Sequence, residues 1–366
     1  MNHHRSHWAS LATIVSVLAL AASACGTSAA SAHASPPIKS SITKPGGRDT
    51  IVSQSPAKSG SRSGQGKPQR TTAPAGNGGS GAPLYAGCQT PLAPGSYDET
   101  ITSGGVQRSY LLSVPSSGSS RTPLPVVIDF HGYGQTAAIQ AAYTGLSAAG
   151  ATKGVLVVTP QGVADRWNFV RRPTVGPSDV AFLHKVLDQL DSLACYDHSR
   201  VVATGISDGA DMANTLGCAL PTMITAIFAV APSIVPMRCP VAPATVIEVH
   251  GTADPIVPFN GGGGDRPFPF QGTQAQPVMT RMNYWSTLDK CTSPPSSAAV
   301  ATGVEALQWH CPPGHLLALY EILGGGHTWP GAAPLPQLGY TTSSVSATNA
   351  VIRLAIDPHA LPWAPG

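Results

Sequence analysis

Arg200-Val201-Val202-Ala203-Thr204-Gly205-Ile206-Ser207-Asp208-Gly209-Ala210-Asp211-Met212 is the stretch that decides how this chain is read. Arg200 to Thr204 is a short, largely β-branched run of the strand type, and a helix-like run, Ala210 to Leu220, follows it. Between them stands Gly-x-Ser-x-Gly. A chain with 39 glycines produces such a string easily by chance, so its weight comes from the strand before it and the helix after it. A strand that turns sharply into a helix needs glycine wherever a side chain would collide with neighbouring backbone. Ser207 then projects alone above a sheet, at the positive end of the helix.

Working outward, the same alternation recurs. Arg108 to Val114, Pro125 to Phe130, Gly154 to Thr159, Ile224 to Val230, Ala244 to Val249 and Leu317 to Leu323 are short apolar runs that read as buried strands. Asp179 to Leu193 carries Leu183, Val186, Leu187, Leu190 and Leu193 at the spacing of one helix face, and a further helix is expected from Ser344 to Ile356 behind Ser/Thr caps. Strands alternating with helices predict an α/β sheet with helices on both faces. No internal repeat is visible.

A serine hydroxyl is a weak nucleophile until a base takes its proton, and the base needs an acid to fix its tautomer. On a strand-to-helix elbow the chain order is serine, acid, histidine. His250-Gly251-Thr252-Ala253-Asp254 offers Asp254 just past a strand, and Gly324-Gly325-Gly326-His327-Thr328-Trp329-Pro330 offers His327 past the last one. His310 and His315 flank Cys311-Pro312-Pro313 and read as loop histidines; His250 reads as a structural residue of the acid loop, and Asp265 as solvated. Acyl transfer also requires backbone donors for a developing oxyanion. One is expected from the N–H of Asp208, whose side chain needs no catalytic role, and the other from the loop His131-Gly132-Tyr133-Gly134-Gln135, at Tyr133 with Gly134 as alternative.

The N-terminal part differs in kind. Of 21 basic and 18 acidic residues, giving +3 overall, residues 1–85 hold eight basic and one acidic, while the remainder holds thirteen and seventeen, or −4. Charge makes up 11% of the chain against about 25% in ordinary soluble proteins, which excludes a coiled coil, and +3 is too small to suggest a nucleic-acid partner. Arg5 and three histidines precede the apolar run Leu11 to Ala22, the plan of a secretory signal over residues 1–24 and too short for a membrane span. Ala22-Ser23-Ala24-Cys25 resembles a bacterial lipoprotein processing site, in which the Cys25 thiol takes a diacylglycerol; ordinary cleavage and free secretion is the other reading. Residues 25–85, mostly Ser, Gly, Ala and Pro, cannot bury enough apolar surface to fold and are expected to be a disordered tether.

Seven cysteines leave one over, and acylation of Cys25 accounts for it. The remaining Cys88, Cys195, Cys218, Cys239, Cys291 and Cys311 contain no C-x-x-C pair, so three disulfides are expected rather than a metal site. Fifteen connectivities are possible; short-range closure favours Cys218 with Cys239 and Cys291 with Cys311, leaving Cys88 with Cys195.

Taken together, His131 to Gln135, Gly205 to Gly209, His250 to Pro258 and Gly325 to Gly331 resemble the polyhydroxybutyrate depolymerase and feruloyl esterase group of α/β-hydrolases, with the lipid signal resembling actinobacterial esterase lipoproteins. The resemblance covers about residues 86–358, within a domain read as 86–366. It implies an α/β-hydrolase fold with a mostly parallel sheet of about eight strands, hydrolysis of carboxylic esters, no metal or organic cofactor, and the triad Ser207, Asp254 and His327. An ester is the expected substrate: a small aryl ester, an acylated polysaccharide or a polyester oligomer. Membrane contact is expected only through Cys25, at the cell envelope. Two departures stand out: Ser178-Asp179 replaces a paired acidic step, and Tyr133 occupies a position where Cys or another small residue is often found. Trp167, Phe259, Phe268, Phe270 and Trp329 are candidate substrate-facing aromatics, and Phe259 to Gln276 a candidate entrance loop. The competing function is a catalytically inactive wall- or polymer-binding lipoprotein that keeps the hydrolase fold.

Overall fold

Seven consecutive buried residues, Leu124–Phe130, form strand β3 at the centre of the molecule, with Val126, Ile128 and Phe130 in the core on one side of the sheet and Val127 in the core on the other. The alternation follows from the two-residue repeat of a strand. A computed structural model of the 366-residue chain describes residues 86–119, 122–168, 177–236, 238–265 and 274–363. The described residues belong to one compact unit. The signal, Cys25 and the tether expected over 1–85, together with Phe268 and Phe270, lie outside the described residues.

In chain order the elements are α1 (Ala86–Gln89), β1 (Gly95–Ser103), β2 (Val106–Val114), β3, α2 (Ala137–Thr144), α3 (Leu146–Lys153), β4 (Leu156–Pro160), α4 (Asp179–Leu193), β5 (Tyr196–Ile206), α5 (Asp208–Ala219), β6 (Ala226–Val230), β7 (Thr245–Gly251), α6 (Val278–Leu288), β8 (Thr292–Ala301), β9 (Val304–His310), β10 (Leu316–Ile322) and α7 (Ala347–Ile356). The sheet runs β1-β2-β4-β3-β5-β6-β7-β10-β9-β8. Its six central strands, β4 to β10 in that order, are parallel, and both margins are antiparallel hairpins.

The seven strand runs read from the sequence correspond to β2 to β7 and β10, but the sheet has ten strands rather than about eight. Outer strand β1 was missed because it is half-exposed and polar, so no apolar run marks it. Its partner β2 is reached through Gly104-Gly105, both at positive φ, the two-residue turn a hairpin prefers. The β8/β9 hairpin was missed because Pro294 and Pro295 break the pattern; they fall at a register irregularity in the edge strand, where proline costs no ladder bond.

Helices α4, α5 and α6 cover one face through Phe182, Leu183, Met212, Leu216, Met282 and Trp285. On the opposite face α3 and α7 contribute Leu146, Val351 and Leu354. Helix α4 spans the residues its periodicity predicted, capped by Ser178 Oγ, which accepts from the Ala181 amide. The disulfides are Cys88–Cys195, Cys218–Cys239 and Cys291–Cys311. Cys195 precedes β5, Cys311 precedes β10 and Cys218 lies in the last turn of α5, so these bonds gather at the amino ends of the parallel strands.

Candidate active site

The carboxyl ends of the parallel strands carry every candidate residue. Ser207 follows β5, the His131 to Gln135 loop follows β3, Asp254 follows β7 and His327 follows β10. Open α/β sheets bind ligands at this edge.

Ser207 has φ 60° and ψ −124°, a conformation that costs a non-glycine residue about 1–3 kcal/mol and persists only where its surroundings enforce it. Here they do. The Ser207 amide donates to Val230 O at 2.9 Å, continuing the β5/β6 ladder, while its carbonyl accepts from Ala210 and Asp211 and starts α5. The turn presses against β3 so closely that a Cβ on Gly205 would lie 2.6 Å from Phe130 O, and one on Gly209 2.1 Å from the same oxygen. Both glycines of the motif are therefore required by close approach.

Asp254 and His327, 73 residues apart, meet because β7 and β10 are neighbours. Ala253 N donates to Gly325 O at 2.9 Å, and a Cβ on Gly251 would lie 2.3 Å from that carbonyl oxygen, so the acid and histidine loops pack backbone to backbone. Asp254 Oδ1 accepts from the amides of Ile256 and Val257, both at 2.8 Å, and Oδ2 accepts from His327 Nδ1 at 2.7 Å. Burial alone would raise the Asp254 pKa, but the His327 ring and these donors outweigh it and hold the carboxyl below its usual range. With Nδ1 donating to the acid, Nε2 is left as the accepting nitrogen of His327.

The histidine loop is also pinned from behind. Trp329 N donates to Tyr143 Oη at 3.0 Å, Trp329 Nε1 to Thr348 Oγ1 at 3.1 Å, and Thr348 Oγ1 to Thr144 O at 2.6 Å, which ties the loop to α2 and α7. Trp329 is wholly buried, and Trp167 is 5% exposed with Nε1 donating to His131 O at 2.8 Å. These two aromatics are structural walls rather than substrate surfaces. Phe259 is half-buried, with its ring edge-on to His250.

In the loop after β3, the Gly134 amide donates to Asp165 O at 2.8 Å, and Tyr133, the other candidate donor, is half-buried. His131 fixes the loop: Nδ1 donates to Gly132 O at 2.8 Å and Nε2 accepts from the Gly162 amide at 2.9 Å. Burial lowers its pKa, favouring the neutral ring that this pair of bonds requires. Asp208 is buried in the first turn of α5, its carboxyl pushed well above the usual range by burial and by Asp211, and it accepts from the Trp167 amide at 3.3 Å. At the departure noted above, Asp179 alone receives both the Arg108 guanidinium and the Asn168 amide, while Ser178 serves as the helix cap.

The competing residues fall elsewhere. His310 is exposed at the end of β9, His315 pairs with Asp289 at 3.3 Å before β10, and Asp265 is exposed. His250 is buried beside the acid loop, as a structural residue would be. Among the described residues no group of three or more His, Cys, Asp or Glu could hold a metal ion. Sequence reasoning missed Tyr143 and the buried ion pair Glu248–Arg281 behind Asp254. The available signal for the pair was a glutamate inside the apolar run Thr245–Gly251.

The crossed parallel sheet, with a strained serine at the strand-to-helix turn, defines an α/β-hydrolase. No family model matches the chain. The candidate esterase NocK of Nocardia uniformis subsp. tsuyamanensis is 28% identical over 277 residues, 70% of this chain and 79% of that protein. Feruloyl esterase B of Piromyces equi is 27% identical over 239 residues, 60% of this chain but only 42% of its own length. Among solved structures, an acetyl xylan esterase from Aspergillus awamori aligns over 66% of this chain and 96% of its own, with 15% identity and a TM-score of 0.49. The chain is thus similar in sequence to known and candidate esterases, feruloyl esterases among them.

Proposed function

We propose that this protein is an exported serine hydrolase of carboxylic esters that works through an acyl-enzyme. The observation that carries the reading is the strained Ser207 elbow at the same sheet edge as the Asp254–His327 pair, closed at 2.7 Å. His327 Nε2 takes the Ser207 proton as Oγ bonds to the ester carbonyl carbon, and Asp254 stabilises the imidazolium that forms. The N–H groups of Tyr133 and Asp208 hold the oxyanion of the tetrahedral intermediate. Collapse of that intermediate breaks the ester C–O bond, and the alcohol leaves with the proton carried by His327. Water, deprotonated by the same imidazole, then attacks the acyl-enzyme and releases the acid.

The names of the relatives support feruloylated or acetylated polysaccharide as the substrate class. Three disulfides support an oxidising, extracytoplasmic location, consistent with a signal over 1–24 and a diacylglyceryl anchor on Cys25 ahead of the tether. A fluorophosphonate probe is expected to label the wild-type protein at Ser207, and Ser207→Ala to lose both labelling and turnover of an activated short-chain ester. Wild-type turnover by Ser207→Ala would refute the mechanism. Absence of labelling together with polymer binding would favour an inactive binding protein. Parallel assays on methyl ferulate, acetylated polysaccharide and hydroxybutyrate oligomers separate the substrate classes. Mass analysis of the mature N-terminus checks for acylated Cys25.

A further inference from the structure

Arg281, on helix α6, is fully buried and makes three kinds of bond at once. Its Nε donates to Glu248 at 3.1 and 3.2 Å and its Nη2 also meets Glu248; Nη2 faces His250 Nδ1 at 3.1 Å; Nη1 donates to the carbonyl of Gln276. An arginine cannot accept and a carbonyl cannot donate, so the closer partners, Arg281 Nη2 at 3.1 Å from Nδ1 and Val257 O at 2.9 Å from Nε2, assign His250 an unprotonated Nδ1 and a hydrogen on Nε2. Nε2 accordingly donates to Val257 O at 2.9 Å, and the Val257 amide is one of the two donors that aim Asp254. Glu248 is held ionised: burial pushes its pKa up, but the Arg281 charge and its hydrogen bonds bring it below the usual range.

The chain of bonds continues in the other direction. Gln276, the last residue of the candidate entrance loop, donates its amide to Ser233 O at 2.9 Å and accepts from the Val235 amide at 3.0 Å. Ser233 and Ile234 in turn bond the carboxylate of Asp211, through the Ser233 amide at 2.8 Å, its Oγ at 2.6 Å and the Ile234 amide at 3.1 Å. Asp211 lies in the first turn of α5, the helix that Ser207 begins. A continuous polar chain, buried except at the half-buried Gln276 and Ser233, thus runs from the acid loop to the nucleophile helix, with Arg281 at its middle. The groups that surround His250 are Glu248 on its own strand at 3.3 Å, Arg281 from α6, Asp254 at 3.6 Å and the Phe259 ring.

We infer that Arg281 is a positioning residue for the triad: by fixing the His250 tautomer it aims Asp254, and by clamping Gln276 it keeps the acid loop in register with the helix that bears Ser207. The inference rests on the esterase reading above. Replacing only one partner of a buried ion pair leaves a stranded charge and threatens the fold itself. The test therefore uses Arg281→Lys, the paired Glu248→Gln/Arg281→Met, and His250→Leu beside His250→Gln, whose side-chain amide retains a donor for Val257 O. Each is assayed for kcat per active site titrated with the fluorophosphonate, which removes any misfolded fraction from the comparison. Expected is a loss in kcat of about 10-fold or more in Arg281→Lys, the paired variant and His250→Leu, with KM within about twofold, since small misplacements near reacting groups act on the chemical step. His250→Gln should recover most of the loss. Titrated kcat within twofold of wild type in both His250→Leu and the paired variant would overturn the proposal, as would His250→Gln being no better than His250→Leu. Failure of the wild-type protein to label at Ser207 would instead overturn the esterase reading.

Discussion

Gly209→Ala sets two forces of opposite sign against each other. Gly209 sits in the first turn of α5 with a backbone that does not fall in the left-handed region, so helix propensity alone expects alanine to stabilise by about 1 kcal/mol. The packing points the other way. A Cβ there would lie 2.1 Å from Phe130 O and 2.7 Å from His131 O, the first about 1.3 Å short of ordinary contact at 3.4 Å. Neither oxygen belongs to a side chain that could swing aside. Phe130 is paired with Gly205 in the sheet, and the His131 carbonyl accepts from Trp167 Nε1. Relief requires β3 and α5 to separate, and overpacking of that kind costs about 1–3 kcal/mol, with main chain as the obstacle favouring the upper part of that range. The net expectation is destabilisation by about 1–2 kcal/mol, a fall in thermal midpoint of several degrees for a domain of this size. Activity should suffer more. The displaced backbone leads straight into Gly132 and Tyr133, and a shift of about 1 Å in such a loop costs on the order of 100-fold in turnover. Thermal unfolding and ester turnover per titrated site check both halves. A raised midpoint, or wild-type kcat, would refute the close-approach reasoning.

Asp254→Asn should leave the protein folded but lower kcat by about 10⁴-fold, because an amide can no longer hold His327 in the tautomer that leaves Nε2 free to accept; steady-state kinetics and circular dichroism check it. Asp129, fully buried between Gln140 and Thr144, is pushed up from 3.8 to about 7, chiefly by burial. The native state therefore keeps a proton that the unfolded chain has lost across that interval, so this group costs stability as pH rises through it and the cost levels off above about 7. Asp129→Asn removes the slope: denaturant unfolding at about pH 5 and about pH 8 should show the variant gaining on wild type by a few kcal/mol at the higher pH, and no change in the difference would refute it. Cys291→Ser/Cys311→Ser opens a loop of 20 residues at the sheet edge away from Ser207 and should cost about 3 kcal/mol of stability while kcat per titrated site stays near wild type.

Legibility in the sequence followed burial. Strands β3, β4, β6 and β7, buried at every position, announce themselves as apolar runs, and α4 as a one-sided helix. The margins did not: β1 is polar because one side meets water, and β8 hides behind Pro294-Pro295 because an edge strand can afford them. At the site, the elbow and the candidate acid and histidine could be named because each follows a readable strand. The cysteine pairing was legible for a similar reason, since two of the three bonds close loops of about twenty residues. Trp329 and Trp167 looked like substrate-facing aromatics only because sequence position says which loop a residue occupies and not which way it turns; both are buried.

The sequence by itself determined the class of fold, the serine elbow and the order of serine, acid and histidine, because these are written in local periodicity and in residues a few positions apart. Tertiary structure alone decided what holds them. Adjacency of β7 and β10 brings Asp254 to His327; the Gly134 amide is engaged by Asp165; and Arg281, on a helix remote in sequence, bonds His250 behind the acid. Such contacts depend on which distant strands become neighbours in the sheet, and no short window of sequence carries that information.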